Sequence, residues 1–335
     1  MAEPAIRTAE PTTRPPTTLD RSWNEICDLG LQQNVAELDA YGYTIVPPEI
    51  ANPDNLAERL LEKCLDIAER RNGERPDLEN GSTHVNLEGT EVGMRYVGHT
   101  YHPHGPLGDV FHSLLLEDEV FQEVLMNPVR LALVTHLLGY NAVMSSMGCW
   151  MKGQGSTTLA LHADNSLPSP LPPHAIGCQT TYWLTDYTRE NGSTAVVPGS
   201  HKWCRQPHGE EKIVPEQPGD RGNQQAIPLE GKAGSLLIHH SNLWHGAYNR
   251  TAPGVRVSLT NYMLRHFMRT TENYIDKVPQ EVLDRHPPRF AILTQQGVKV
   301  GGSNPEETEH RVETAEKYLA AYAKEIGEGY RPVEQ

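Results

Sequence analysis

The sequence predicts a mainly β protein with helical additions: a double-sheet jelly roll flanked by helices on its N-terminal and C-terminal sides. Three observations carry this reading. From Ala142 onward, short β-rich runs are separated by Gly, Pro and Asn. Before that point apolar residues recur at helical spacing, and after Arg265 the chain turns polar and helical again.

Residues 1–20 are rich in Pro and Thr with almost nothing to bury, so ordering them costs entropy without return and a disordered tail is expected. The rest, 21–335, reads as one domain: a helical part over 21–140, the jelly roll over 141–268 and a helical extension over 269–335. Trp23, Ile26, Leu29, Leu31, Val35 and Leu38 predict one helix leading to Gly42. A strand over 43–46 is stopped by Pro47 and Pro48, and a helix over 53–71 is ended by Gly73. The stretch 80–105 carries His84, His102 and His104 among Gly, Asn and Pro, and is expected to be a loop with a strand at 93–97, a candidate substrate lid. Helices near 107–125 and 128–138 follow, the second stopped by Gly139.

The β-rich runs are 143–151, 156–161, 177–184, 194–197, 235–239 and 255–264, and the mouth of such a jelly roll can hold a small ligand. In the last helix, 311–326, Ala315, Tyr318, Leu319 and Tyr322 share one face.

With a formal net charge of −14 and no cluster of Lys and Arg to release counterions, a nucleic-acid partner is excluded. The five cysteines, Cys27, Cys64, Cys149, Cys178 and Cys204, form no C-x-x-C pair, so neither a disulfide framework nor a thiolate zinc site is expected. No apolar run reaches the length of a membrane span, and the start of the chain lacks the pattern of a secretory signal. A cytoplasmic protein with a small-molecule substrate is expected, its oligomeric state left open.

The chemistry centres on His162-Ala163-Asp164. In an extended backbone residues i and i+2 project to one face, so an imidazole and a carboxylate can converge on one cation. His245 offers a third ligand, and two His with one carboxylate suit a non-haem Fe(II) centre. Arg256 adds a planar guanidinium able to bind a keto acid's carboxylate bidentately. Residues 249–254 can turn the chain, so His245 and Arg256 are expected on adjacent antiparallel strands.

Other residues have plainer readings. The competing pair His208-x-Glu210 lies in a polar segment without strand pattern and reads as a solvated loop. Of His239 and His240, one is expected to be a hydrogen-bonded strand residue; His201 reads as structural. Trp183, Trp203 and Trp244 read as core or cavity wall, and Cys149 and Cys178 as small apolar residues.

Taken together, His162-x-Asp164, the run from Trp183 through Asn191-Gly192-Ser193 to Pro198-Gly199-Ser200-His201-Lys202, and His245 followed by Asn249 and Arg256 resemble the phytanoyl-CoA dioxygenase-like (PhyH) family of Fe(II)/2-oxoglutarate-dependent oxygenases. The resemblance implies a double-stranded β-helix, a cupin-like jelly roll. It also implies that His162, Asp164 and His245 hold iron, that Arg256 pairs with the distal carboxylate of 2-oxoglutarate, and that Ser258 and Thr181 assist. O2 would be consumed, 2-oxoglutarate would leave as succinate and CO2, and a small lipid-like or natural-product substrate would be hydroxylated or desaturated. Relatives that transfer halogen lack the carboxylate, which this chain keeps as Asp164. One departure is Ala247, two residues after His245, where relatives often carry a serine. A second cover for the pocket is expected at 165–176. Two readings from other classes stand beside this one: a non-oxidative metal enzyme (hydrolase or isomerase) and a catalytically silent binding module.

Overall fold

The computed structural model describes residues 17–80, 108–165, 167–299 and 301–326. The sequence readings at 81–107, including the lid candidate, its strand and His84, His102 and His104, lie outside them.

Four helices and one strand open the described chain: α1 (Thr18–Asp28), α2 (Gln32–Tyr41), β1 (Tyr43–Val46), α3 (Pro48–Ala51) and α4 (Leu56–Asn72). Two expectations are corrected here. The helix starts at Thr18, where Thr17 and Asp20 close a capping box, so the last residues of the expected tail are ordered. The single helix expected from Trp23 to Leu38 is two, because Gly30 adopts φ 70°, a left-handed conformation that ends the first helix before Gln32 begins the second. Gly42, at φ 83°, closes α2 as expected.

Next come β2 (Asp109–His112), α5 (Glu119–Met126) and α6 (Pro128–Leu138). The helix expected over 107–125 is thus a strand followed by a shorter helix. Val110 and Phe111 are buried against the neighbouring strand, and Asp118 supplies the N-cap that starts α5. The β core comprises β3 (Ala142–Gly153), β4 (Leu159–His162), β5 (Gly177–Trp183), β6 (Thr194–Val196), β7 (Ile227–Pro228), β8 (Leu236–His240), β9 (His245–Ala247) and β10 (Val255–Arg265). Helices α7 (Gln280–Arg285), α8 (Pro288–Leu293) and α9 (Pro305–Ile326) close the described chain. None of the described helices is long and apolar enough to cross a membrane.

The strands form a six-stranded sheet in the order β1-β8-β5-β10-β3-β2 and a four-stranded sheet in the order β4-β9-β6-β7, the jelly-roll arrangement expected. All the strand pairings within the two sheets are antiparallel.

Period-2 alternation decides what each strand of the large sheet does. On β10, Val257, Leu259 and Met263 point into the core shared with the helices, while Arg256, Ser258 and Thr260 line the pocket between the sheets. On β5, Cys178 and Tyr182 join the same core, while Gln179 and Thr181 face the pocket. The helix side is pinned by Arg130 of α6, which is buried and donates to Leu125 O and Thr180 Oγ1 at 2.9 Å and to Asn261 Oδ1. With both faces covered, the large sheet is a rigid floor for the groups on its pocket side.

Candidate metal centre

Three groups predicted to meet do meet. The ligand-capable atoms of His162, Asp164 and His245 all lie within 4.8 Å of one another. Each imidazole Nε2 is 3.6 Å from Asp164 Oδ1, and the ring centroids of His162 and His245 are 4.4 Å apart. His162 and His245 face each other as register partners on β4 and β9, a pairing that strand geometry alone sets up.

The local backbone then fixes the tautomers. His162 Nδ1 sits 2.9 Å from Ala160 O and His245 Nδ1 3.0 Å from Leu243 O, so both Nδ1 atoms carry the proton and both Nε2 lone pairs face Asp164. Burial opposes ionisation of Asp164, yet His245 and His162 hold its carboxyl well below the usual carboxylate range. Burial pushes His245 down to about 3, keeping it neutral. At His162, burial is outweighed by the neighbouring Asp164 carboxylate, which raises the imidazole.

The donor set suits a divalent metal. Ligand bonds of about 2 Å bring facial donors to roughly 3 Å from one another. The 3.6 Å separations approach that spacing, and the set offers two imidazole nitrogens with one anionic oxygen.

Two details differ from the sequence reading. Strand β4 ends at His162, so Asp164 lies just past the ladder and reaches the centre from a bend. His245 and Arg256 are not on adjacent strands: β9 belongs to the small sheet and β10 to the large one. The segment between them crosses from one sheet to the other, so the arginine faces the histidine across the pocket.

Arg256 is 4 % exposed, and among the described residues no carboxylate pairs with it. Its guanidinium carbon lies 4.6 Å over the ring of Tyr187, which stacks on Trp183 with centroids 4.4 Å apart. One Nη donates to Gly192 O, and Arg250 donates to the neighbouring Asn191 O at 3.3 Å. The run from Trp183 to Gly192 thus builds the platform and the clamp for this arginine. Its buried Nε has no partner among the described residues, nor have two other buried atoms of pocket-lining residues, Trp150 Nε1 and Gln179 Oε1. Ser258 and Thr181 line the same pocket, as read from sequence.

Sequence reasoning missed Trp150, Gln179, Tyr187 and His239 as pocket residues. The signal was present in the alternation, since Gln179 stands two positions before Thr181 on one strand. His239 packs its ring 4.4 Å from that of His245, while His240 accepts a bond from Asn242 N at 2.9 Å. His201 is buried behind Gly42, whose added Cβ would stand 2.4 Å from its Nδ1, in keeping with a structural role. His208 and Glu210 are exposed on a 3-10 turn. Trp183 and Trp244 are core, whereas Trp203 is 41 % exposed on a separate outer hollow that holds none of the three candidate ligands. Cys149 and Cys178 are buried, with thiols pushed up by burial.

The described residues of the segment 165–176 are bonded to their surroundings at several points. Asn165 and Pro172 both bond to the buried Asn242, and Leu171 N donates to Cys204 O at 2.7 Å. Residues 167–170 are exposed.

The chain is similar to known proteins in both sequence and fold. The profile of the phytanoyl-CoA dioxygenase (PhyH) family matches residues 38–258. Dioxygenase af480 of Aspergillus fumigatus is 30% identical over 178 residues, 52% of this chain and 55% of that protein. Dioxygenase aneA of Aspergillus aculeatus is 28% identical over 182 residues, 50% of this chain and 56% of that protein. The matched stretches thus span about half the length of these curated relatives. Among solved structures, HygX from Streptomyces hygroscopicus, with nickel and 2-oxoglutarate bound, has the same fold at a TM-score of 0.52 and 15% identity, covering 71% of this chain and 88% of that one.

Proposed function

The chain belongs to the phytanoyl-CoA dioxygenase family, and we propose that it is an Fe(II)- and 2-oxoglutarate-dependent dioxygenase acting on a small organic molecule. One observation carries the reading. A buried arginine without a carboxylate partner among the described residues lines the same pocket as a His-Asp-His cluster. A metal site alone gives Arg256 no task, whereas a keto acid chelated at the metal has a far carboxylate that needs such an anchor. The named dioxygenases of Aspergillus, and HygX with its bound 2-oxoglutarate, support the same reading.

His162, Asp164 and His245 hold the iron in this reading. With iron(II), dioxygen and 2-oxoglutarate bound, such a centre oxidises a C–H bond while 2-oxoglutarate leaves as succinate and CO2. The side chains prepare for it. The Nδ1 bonds to Ala160 O and Leu243 O hold both imidazoles in the ligating tautomer. Asp164 stays anionic between them and fills the position a halide would need, which favours hydroxylation or desaturation over halogen transfer. Arg256 takes the far carboxylate on the Tyr187 face, with Ser258 and Thr181 beside it. The floor of the large sheet excludes water from behind.

The overall acidity favours a neutral lipid-like or natural-product scaffold over a polyanionic substrate. All five cysteines are unpaired, which suits a reducing cytoplasm where iron stays Fe(II).

The test is anaerobic metal titration followed by a succinate-release assay in air. Iron-dependent conversion of 2-oxoglutarate to succinate is expected, stimulated by the right substrate in a screen of small molecules. Zinc binding without turnover would point to a non-oxidative enzyme, and no metal binding to a silent module.

A further inference from the structure

Asp164 lies beyond the end of β4, so the ladder that aligns His162 with His245 does not align the carboxylate. Something else must hold that backbone. A side chain from a distant loop reaches it: Gln206 Oε1 accepts from Ala163 N at 2.9 Å, and Gln206 Nε2 donates to Ala163 O at 3.0 Å and to Asn165 O at 2.8 Å. One amide therefore grips the residues on both sides of Asp164. It substitutes for the strand partner that the bend lacks.

The neighbouring residues tie the same loop to the other ligand-bearing segments. Arg205 O accepts from Trp244 Nε1 at 2.8 Å, next to His245, and Cys204 O accepts from Leu171 N at 2.7 Å on the pocket rim. Trp244 N in turn donates to Ser200 Oγ at 2.8 Å. The loop is itself stiffened by the fork of Arg205 on Glu211, at 2.7 and 2.8 Å.

We propose that Gln206 is the positioning residue of the carboxylate ligand: by bonding to Ala163 and Asn165 it sets where Asp164 presents its oxygen between the two imidazoles. The inference deepens the metal-binding reading above and rests on it. A ligand held to within about 0.5 Å binds metal better than one left to a free bend. Outer partners of metal ligands are typically worth about 10- to 100-fold in affinity.

The test uses the full chain, stripped of metal and titrated anaerobically with Fe(II) and, separately, with Mn(II). Gln206→Met keeps the bulk and loses all three hydrogen bonds. Its affinity for both ions should fall about tenfold, and added metal should raise its melting temperature less than it raises that of the wild type. The Co(II)-loaded variant should show an altered visible spectrum, a change that a loop effect sparing the ligand geometry does not produce. Arg221→Met, which removes only an exposed ion pair with Glu210, should bind metal like the wild type. The proposal is overturned if Gln206→Met binds both ions as tightly as the wild type, or if Arg221→Met loses as much. Should Gln206→Met not fold, Gln206→Asn, whose amide ends one methylene short, takes its place, and wild-type affinity in that variant also overturns the proposal. If the wild type itself binds neither ion, the metal reading falls, and this one with it.

Discussion

Arg256 and Lys152 are cross-strand partners on β10 and β3, and both are almost completely buried. Their charges conflict, and each resolves the conflict differently. A guanidinium stays charged in any protein, so Arg256 keeps the positive charge that the proposed carboxylate contact requires. Replacing it with Lys keeps the charge and loses the planar fork; the apparent 2-oxoglutarate affinity should drop about tenfold, equivalent to about 1.4 kcal/mol, with Fe(II) affinity unchanged. A cosubstrate requirement equal to the wild type's would mean that another basic residue holds the carboxylate. Lys152 yields instead: burial first, then Arg256, Arg189 and Arg250, pushes its ammonium down to about 6, although Thr157 O and Tyr248 O accept from it. The unfolded chain therefore binds a proton that the folded one lacks between about pH 6 and the ordinary lysine value of 10.5. This group makes stability rise with pH across that window and loses its contribution as pH falls through the folded value. Denaturant melts of Lys152→Met between about pH 6 and 9 should show a flatter rise than the wild type. Parallel curves would mean that Lys152 stays charged when folded.

At the scale of elements, the centre depends on how closely β4 approaches β9. Gly246, between His245 and Ala247, has no room for a side chain, because an added Cβ would stand 2.3 Å from Leu159 O and 3.2 Å from the Ala160 carbonyl. Only glycine lets the two strands come this near, and their spacing sets the distance between His162 and His245. Gly246→Ala should force the strands apart and lower metal affinity by about tenfold or more. The large sheet should be unaffected, so far-UV circular dichroism should match the wild type while isothermal titration with Fe(II) shows the loss. Undiminished metal binding in that variant would mean that the histidines are placed by something other than this contact. Gly246 was not singled out in the sequence, because nothing local distinguishes it from a glycine in a turn.

For the molecule as a whole, the helices and the pocket occupy opposite faces of the large sheet, so stability and chemistry can be perturbed separately. The last helix, α9, seals a small cluster in which Tyr322 and Ile326 pack with Tyr140 and Ile292, and Tyr322 Oη donates to Tyr140 O at 3.2 Å. Tyr322 is fully buried. Tyr322→Ala should cost about 3 kcal/mol, as large aromatic truncations in cores do, and lower the melting temperature by several degrees. Metal affinity should be unchanged, since no residue of the cluster lines the pocket. A fall in metal affinity measured well below the melting transition would show that the helical layer reaches the site through the sheet.

Much of the site was legible in the chain because its signals are local. His162-x-Asp164 is a spacing of two, the run from Trp183 to Gly192 is one continuous motif, and Arg256, Ser258 and Thr181 follow the period-2 rule of their strands. Helix ends marked by Gly42, Gly73 and Gly139 were legible for the same reason. What local pattern does not carry is which sheet a strand joins. The three-residue strand His245–Ala247 is too short to announce itself, so His245 was placed beside Arg256 when it stands across the pocket from it. The same holds for Gln206, whose 43-residue separation from Ala163 leaves no trace in spacing. The sequence alone determined the residue types of the centre and the jelly roll that carries them, because backbone periodicity and ligand chemistry are properties of neighbours in the chain. Only the tertiary structure decided that the His-Asp-His cluster and the arginine face one another from separate sheets, and that a loop amide grips the backbone on both sides of Asp164, because those contacts arise when distant segments pack.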